Sequence, residues 1–314
     1  MDFALKMSTQ VSSCPNRLRH CMKTWLKKNA VTVLLVAIAL VGVGLLAYPS
    51  VANWYNQFHQ SRAIATYSEA VSGLNKEDYE KLLAKADRYN ADLAKSGPLW
   101  HMTTEQEQRY ESVLTVDDSK IMGYINIPKI RVRLPIYHGT EESVLQVAIG
   151  HIQGSSLPVG GKSSHCIVSG HRGLPSATLF TDLDKMVVGD TWTMTCLGRT
   201  VTYECDAVHI VEPDDFTYLG IEKGKDRCTL VTCTPYGINT HRLLVTGHRV
   251  ANAQGDALIP ADALIIEPIY IAPVVAVPIL VMLLISFIAW TRRQRLTKSK
   301  DQAVSDYVDR VWKR

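Results

Sequence analysis

The strongest constraint on this chain is a pair of long apolar runs, one near each end. Residues 30–48 form 19 positions without a charged side chain, and residues 269–290 form 22. At about 1.5 Å per helical residue the runs reach roughly 28 and 33 Å, and the hydrocarbon core of a bilayer is roughly 30 Å thick. The sequence therefore predicts two transmembrane helices, which argues against a purely soluble protein.

Both ends of the chain are basic. Residues 1–29 carry six Lys/Arg and one Asp, and residues 291–314 carry eight Lys/Arg and three Asp, although the whole chain has a net charge of only +4. Basic residues flank membrane spans on the cytoplasmic side, so both ends are predicted to be cytoplasmic and residues 49–268 to lie outside the cell. The exported part is then acidic overall. This excludes a nucleic-acid partner, which would require a basic folded face.

The first apolar run allows a second interpretation. A basic head, an apolar run and the small residues Ser50, Val51 and Ala52 also make up a signal peptide with a cleavage site. The run is longer than the usual signal core, which favours a retained anchor. Under both interpretations the middle of the chain is exported.

Residues 49–118 are predicted to be an extracellular helical region. Apolar residues recur at helical spacing over residues 55–95, and Asn75 can cap a helical turn within this stretch. The sequence Ser96-Gly97-Pro98 then predicts the end of the helix. Residues 97–118 are polar and show no clear period, so they are predicted to form a loop.

Residues 119–250 change to short β-like runs separated by turn residues, which is typical of a mostly β barrel or sandwich. The turn of one hairpin is predicted at Leu197-Gly198-Arg199-Thr200. Residues 251–268 are then a linker to the second span, and residues 291–314 a basic cytoplasmic tail. The predicted strands are 123–127, 130–137, 164–169, 191–196, 200–210, 228–232 and 242–246.

The cysteines give the first indication of chemistry. Two of the seven, Cys14 and Cys21, precede the first span, which leaves five in the exported part. An odd number leaves at least one thiol without an intramolecular partner. Cys233 ends a β-branched run and precedes a turn, where a thiol is accessible yet rigidly held. The other four lie within predicted strands and fit small buried apolar residues, although a disulfide between Cys166 and Cys228 stays open.

A cysteine nucleophile needs a partner that sustains the thiolate and protonates a leaving amine. His171 lies just past a predicted strand between glycines, as Cys233 lies at the end of another, but several other histidines also lie near turns. Arg242 begins the strand after Cys233, so a hairpin would place its guanidinium beside the thiol. A surface position for this arginine is the alternative. Neither CxxC nor HxxxH spacing occurs, so no metal and no cofactor is predicted.

Several motifs together resemble the class C, pilin-polymerising sortases of Gram-positive bacteria. Residues 229–235, Thr-Leu-Val-Thr-Cys-Thr-Pro, with Arg242 downstream are similar to the sortase cysteine signature, and residues 169–172, Ser-Gly-His-Arg, to its histidine motif. Residues 161–175, 179–183 and 236–247 are similar to class C in particular. The resemblance extends over roughly residues 50–295, including the second span and the basic tail.

The resemblance implies an eight-stranded sortase β-barrel with N-terminal helices, flanked by two transmembrane helices. It implies that Cys233 attacks the Thr–Gly carbonyl of an LPXTG-like sorting signal and forms a thioacyl enzyme. His171 would then be the general acid and base, and Arg242 would bind substrate and stabilise the oxyanion. The expected partners are pilin subunits, one of which supplies an acceptor lysine, and the membrane.

The sequence departs from class C at one place. These enzymes usually carry a lid with an Asp-Pro-aromatic motif, whereas this chain has Ser96-Gly97-Pro98-Leu99-Trp100, without the acid and with the aromatic one position later. Pro98 and Trp100 are therefore candidate lid residues. The usual contact of the lid acid with Arg242 is not expected, and Trp100 packing on the domain for structural reasons is the alternative.

Three other functions compete with pilin polymerisation. A sortase could anchor surface proteins to peptidoglycan instead. The chain could also be a non-catalytic membrane scaffold that binds sorting-signal peptides, although a complete Cys/His/Arg set argues against it. A plain cysteine protease would release a free acid even when an amine is present.

Overall fold

The computed structural model describes residues 29–252 and a few residues near the C-terminus. The chain divides into two compact units, one of Met1–Tyr48 with Glu267–Arg314 and one of Pro49–Ile266. The predicted cytoplasmic N-terminus, nearly all of the 251–268 linker and most of the C-terminal tail lie outside the described residues, as do Cys14 and Cys21. The C-terminal residues described are 281, 282, 285, 304–306, 308, 311 and 312.

Helices precede the β region, as the sequence predicts. The α-helices are α1 (Ala30–Ser72), α2 (Lys76–Ser96), α3 (Thr104–Glu111) and α4 (Glu142–Leu145), with 3-10 helices at Pro128–Ile130 and Leu183–Lys185. Asn75 caps α2, because its side chain accepts a hydrogen bond of 2.8 Å from the Asp78 backbone N–H. The predicted helix end is also confirmed, with Gly97 at φ +82° directly after Ser96.

The prediction of a loop over residues 97–118 is wrong, because this stretch contains α3. Thr103 and Gln106 form a reciprocal capping box at its start, which satisfies two of the backbone groups that a helix terminus leaves open. One turn later Tyr110 is completely buried. A helix this short is stabilised by its cap and by one buried aromatic side chain rather than by an apolar stripe, which is why periodicity did not indicate it.

Eight strands close into a barrel, which confirms the architecture that the resemblance implies. The strands are β1 (Ile121–Ile127), β2 (Val132–His138), β3 (Ile149–His151), β4 (Ser164–Ser169), β5 (Thr191–Cys196), β6 (Arg199–Val211), β7 (Asp226–Thr234) and β8 (His241–Val250). Their order around the barrel is β1-β2-β3-β4-β7-β8-β6-β5. The pairs β2–β3 and β4–β7 are parallel and the others antiparallel. The sequence missed β3, whose three residues are too few to show a period.

Two apolar clusters stabilise the barrel. The interior is filled by alternate residues of the strands and is closed by helix residues such as Tyr89 and Leu93 of α2. A smaller cluster lies on the opposite face of β4, β7 and β8, and we call it the outer cluster. It consists of Ile167, Val211, Leu219, Val231 and Leu244, with Trp100 and Ile152 packed against it. Side chains alternate between the two faces along a strand. A residue that lies an even number of positions from an outer-cluster residue on the same strand therefore has the same parity and faces the same side.

Among the described residues, one helix is long and apolar enough to cross a membrane. This is α1, which contains the predicted first span and has exposed apolar side chains along it. In the second predicted span, residues 269–290, only Val281, Met282 and Ile285 are described, and all three are helical. The second transmembrane helix therefore stays a prediction.

Candidate active site

Cys233 lies one residue before the end of β7, between β8, which carries Arg242, and β4, which leads to His171. On one side, β7 and β8 are antiparallel and Cys233 is paired with Arg242. The hairpin prediction, which placed Arg242 beside the thiol, is thus confirmed. On the other side β7 pairs with β4, the strand that leads to His171.

The parallel β4–β7 pair brings His171 to the level of Cys233. Ser169 of β4 is paired with Val231 of β7, and the Gly170 N–H donates to the Val231 carbonyl over 3.0 Å. From the other strand, the Thr232 hydroxyl donates to the Gly170 carbonyl over 2.7 Å. Two hydrogen bonds therefore fix the backbone directly before both candidate residues.

Cys233 and Arg242 share the face of the barrel that carries the outer cluster. Cys233 is two residues beyond Val231, and Arg242 is two residues before Leu244, so each has the parity of a cluster residue. His171 lies two residues beyond the end of β4, whose residue Ile167 belongs to the cluster. The strand register thus pairs Cys233 with Arg242 and ends the neighbouring strand β4 just before His171.

His171 has an acidic neighbour that the sequence did not indicate. Its Nε2 lies 3.6 Å from Oε2 of Glu142, the first residue of α4, and makes no hydrogen bond within the described part of the chain. The pKa of Glu142 is lowered, first by a hydrogen bond from Gln146 and then by His171. The ring nitrogen thus keeps its hydrogen-bonding capacity for a substrate. A lone glutamate about 30 residues earlier in the chain carries no motif that would have revealed it.

Arg242 is half-buried and is held through one of its nitrogens. Nη1 donates to the Asn239 carbonyl over 3.2 Å and to the His241 carbonyl over 3.1 Å. In the described structure Nε and Nη2 make no hydrogen bond. This arrangement orients the guanidinium and leaves donors for an oxygen of a substrate. Among the described residues no Asp forms an ion pair with Arg242.

Trp100 packs on the outer cluster. Its ring lies 5.2 Å from that of Phe216, and the preceding Leu99 N–H donates to the Gly154 carbonyl over 2.9 Å. Pro98 is half-buried at the start of the same segment. Val231 of β7 belongs to the same cluster, and Cys233 lies two residues, or roughly 7 Å, further along that strand. Both predicted roles, packing and covering, remain compatible with this position.

The other described cysteines are buried and free. They are Cys166, Cys196, Cys205 and Cys228. Cys166 and Cys228 are paired across β4 and β7, so their predicted proximity is correct, but they are thiols and not a disulfide. Burial raises the pKa of Cys166 and also that of Cys205, to about 11, which keeps both protonated and unreactive. No group of three or more His, Cys, Asp or Glu within residues 29–252 is arranged to hold a metal ion.

Comparison with known proteins agrees with this geometry. A family model described as the sortase domain matches residues 125–250. The crystal structure of sortase C1 from Streptococcus agalactiae is 56% identical with a TM-score of 0.60, and the match covers 61% of this chain and 100% of that one. The chain belongs to the sortase family. Sortases are cysteine transpeptidases, so it is an enzyme of this type.

Further relatives agree on the family and indicate the class. Sortase C-1 from Actinomyces oris is 42% identical with a TM-score of 0.51, and the match covers 55% of this chain and 99% of that one. Sortase D from Bacillus subtilis (strain 168) is 30% identical over 131 residues, which are 41% of this chain and 63% of that protein. The likeness to sortase C structures from two organisms places this sortase in class C.

Proposed function

We propose that this sortase is a membrane-anchored pilin polymerase. It cleaves an LPXTG-like sorting signal on one pilin and joins the resulting acyl group to a lysine amine of the next. The observation that carries the proposal is the pairing of Cys233 with Arg242 across β7 and β8, with His171 just beyond the end of β4 on the other side of β7. The relatives named sortase C1 support the choice of class.

The first half-reaction makes a thioacyl enzyme. The Cys233 sulfur attacks the carbonyl carbon between Thr and Gly of the sorting signal as a thiolate. The oxygen gains negative charge, which the free donors of Arg242 stabilise, and one such donor is typically worth about 2.7–4 kcal/mol of barrier. The C–N bond then breaks while His171 gives a proton to the departing glycine amine.

The second half-reaction joins two pilins. The neutral lysine ε-amine attacks the thioester carbon, His171 accepts a proton from the attacking nitrogen, and the Cys233 sulfur leaves as a thiolate. The product is an isopeptide bond. Because the thioester conserves the energy of the cleaved peptide bond, the reaction needs no ATP. Transfer to an amine rather than to water requires an oriented acceptor and restricted water entry, and we assign the second task to Trp100 and Pro98 as a lid.

A reconstituted polymerisation assay tests the function. The full-length protein in detergent micelles is incubated with a purified pilin that carries an LPXTG-like signal and its acceptor lysine. We expect a ladder of covalent polymers with a Thr–Lys isopeptide bond by mass spectrometry. Cys233→Ala should lower polymer formation by about a thousandfold or more, because loss of the nucleophile removes the covalent route. Cys205→Ala is the matched control and should still polymerise.

The products separate the alternatives. Polymer in the Cys233→Ala variant would refute the assignment of the nucleophile. If a peptidoglycan-stem amine is added and the pilin is joined to it instead of to lysine, the enzyme is an anchoring sortase. Release of free acid alone would indicate a protease, and a thioacyl adduct on Cys233 excludes the non-catalytic scaffold.

A further inference from the structure

Arg172, which directly follows His171, is unusually enclosed for an arginine. Its side chain is only 9% exposed. Nη1 donates to the Thr234 hydroxyl over 3.3 Å, and Nη2 donates to the Asp184 carboxylate in a close ion pair. The guanidinium also lies 5.8 Å from the centre of the Tyr236 ring. None of these partners is close to Arg172 in sequence, so one side chain connects separate segments of the domain.

The energetic cost of this burial makes a purely incidental position implausible. An arginine loses much hydration free energy when it is enclosed, and this loss is recovered only if charged and polar partners replace the water. Here one carboxylate, one hydroxyl and one aromatic face replace it. In addition, Nε is buried without a hydrogen bond within the described residues. The partners therefore do not replace all of the hydration that Arg172 loses. A role in positioning neighbouring segments explains its burial better than a contribution to stability.

The partners of Arg172 lie beside the candidate catalytic residues. Thr234 directly follows Cys233, and Tyr236 lies in the loop after it. Asp184 is the middle residue of the 3-10 helix at Leu183–Lys185, which ends the segment that follows His171. Arg172 therefore connects the backbone just after the imidazole with the backbone just after the thiol.

The segment between His171 and Asp184 is itself held by hydrogen bonds, so Asp184 has a fixed position for its ion pair with Arg172. The Phe180 N–H donates to the His171 carbonyl over 3.1 Å, and the Gly173 N–H donates to the Thr181 hydroxyl over 3.1 Å. Gly173 adopts φ +78° and packs close to Tyr236, where a Cβ would lie 3.1 Å from the ring. The loop thus folds back on itself and against the loop that follows Cys233.

We propose that Arg172 is a positioning residue that sets the relative placement of the His171 imidazole and the Cys233 sulfur. The two strands β4 and β7 fix the backbone before these residues, and Arg172 fixes it after them. The role needs a planar group with separate donors, one for Asp184 and one for Thr234, which a lysine ammonium supplies only in part. The proposal rests on the transpeptidase function proposed above.

Steady-state cleavage of an LPXTG-like peptide by the full-length protein in micelles tests the proposal. We expect Arg172→Ala to lower kcat by about 10- to 100-fold, because a misplacement of about 1 Å costs up to a hundredfold. KM should stay within twofold of wild type, since the donors of Arg172 are engaged by Asp184 and Thr234 rather than left for a substrate. Arg172→Lys should recover part of kcat. Asp184→Asn should also lower kcat, and the double variant Arg172→Ala/Asp184→Asn should be no slower than Arg172→Ala alone.

A matched control separates positioning from general stability. Arg199 forms an exposed ion pair with Asp87, and Arg199→Ala should keep the wild-type kcat. The melting temperature of each variant gives its folded fraction under assay conditions. If Arg172→Ala does not fold, Asp184→Asn and Arg172→Lys still test the contact. Wild-type kcat in both, a rise in KM with unchanged kcat, or a loss of kcat that only follows the folded fraction would overturn the proposal.

A second readout does not depend on any substrate. The rate at which iodoacetamide alkylates Cys233 is measured against pH in the wild type, in Arg172→Ala and in His171→Ala. We expect the Arg172→Ala profile to move towards that of His171→Ala, because the imidazole no longer lies correctly beside the sulfur. An Arg172→Ala profile identical to wild type would refute the positioning role. If the wild type cleaves no sorting peptide, the proposed function fails, whereas this profile still decides the role of Arg172.

Discussion

Trp100 lies where two roles coincide. It contributes an aromatic ring to the outer cluster, which favours a packing role, and that cluster includes Val231, two residues before Cys233 on β7, which favours a covering role. The segment that contains Trp100, residues 97–103, includes no Asp or Glu that could form an ion pair with Arg242. Apolar contact with the cluster and with Phe216 must therefore supply most of the free energy that keeps the segment in place. Each apolar contact that is removed should therefore increase the fraction of molecules in which this segment is detached from the domain.

Removing the ring should expose the thiol. A partly buried aromatic side chain contributes about 1–2 kcal/mol through contact, so Trp100→Ala should raise the alkylation rate of Cys233 by about tenfold. Phe216→Ala should raise it less, because Trp100 keeps its contacts with the cluster. Trp54→Ala, which removes an exposed tryptophan from α1, is the control and should leave the rate unchanged. An unchanged alkylation rate of Cys233 in Trp100→Ala would refute the covering role.

Single residues differ in how far the sequence could predict them. The position of Arg242 opposite Cys233 followed from hairpin geometry, because only a short loop separates the two strands. The choice of His171 needed the resemblance, because the parallel β4–β7 pair joins residues about 60 apart and leaves no local pattern. Glu142 and Arg172 were not predicted as parts of the site. Their contacts depend on where α4 and the loop after β4 lie in space.

At the level of elements, α1 holds the surroundings of His171 through polar contacts. The backbone N–H and the hydroxyl of Thr178 both donate to Asn53 Oδ1, and Asn56 Nδ2 donates to the Ser176 carbonyl. Both partners lie in the segment that follows His171. A third residue of α1, Gln60, donates to the carbonyl of Val147 over 2.6 Å.

Loss of these contacts should affect catalysis more than stability. Asn53→Ala/Asn56→Ala removes hydrogen bonds worth about 1 kcal/mol each, and we expect kcat for peptide cleavage to fall by about 3- to 10-fold as the loop after His171 loosens. Ser68→Ala is the matched control on α1, since within the described residues its hydroxyl bonds only to the Ile64 carbonyl of the same helix. A wild-type kcat in the double variant would show that α1 does not position the loop.

Element boundaries show why periodicity predicts only part of this fold. The predicted strands 164–169 and 191–196 have the observed bounds, whereas β7 and β8 extend beyond their predicted ends. These extensions are stabilised by pairing with each other and with the neighbouring strands β4 and β6, so the residues of the extensions show no periodic pattern that would predict them. The missed elements, α3, α4 and β3, are short and depend on caps or tertiary contacts.

For the whole domain, a buried histidine connects the helical region with the barrel. His151 of β3 is completely buried, and its Nε2–H donates to the Ser156 carbonyl over 2.9 Å. Its Nδ1 accepts from the Tyr110 hydroxyl of α3 over 3.0 Å. The second of these hydrogen bonds needs the neutral ring, because a protonated Nδ1 cannot accept. Burial, together with the nearby His138, accordingly lowers the pKa of His151 from 6.5 to about 4.

This pKa makes the folded domain sensitive to acid. Below pH 6.5 the unfolded chain takes up a proton that folded His151 rejects until about pH 4, so stability falls as the pH falls through this window. The loss in free energy of unfolding caused by His151 should reach about 2 kcal/mol by pH 5. His151→Asn, with an amide that can donate to Ser156, should lose correspondingly less stability between pH 7.5 and 5 in urea unfolding. Buried His165, whose pKa is also lowered, should keep part of the dependence. Equal losses in variant and wild type would exclude His151 as a source.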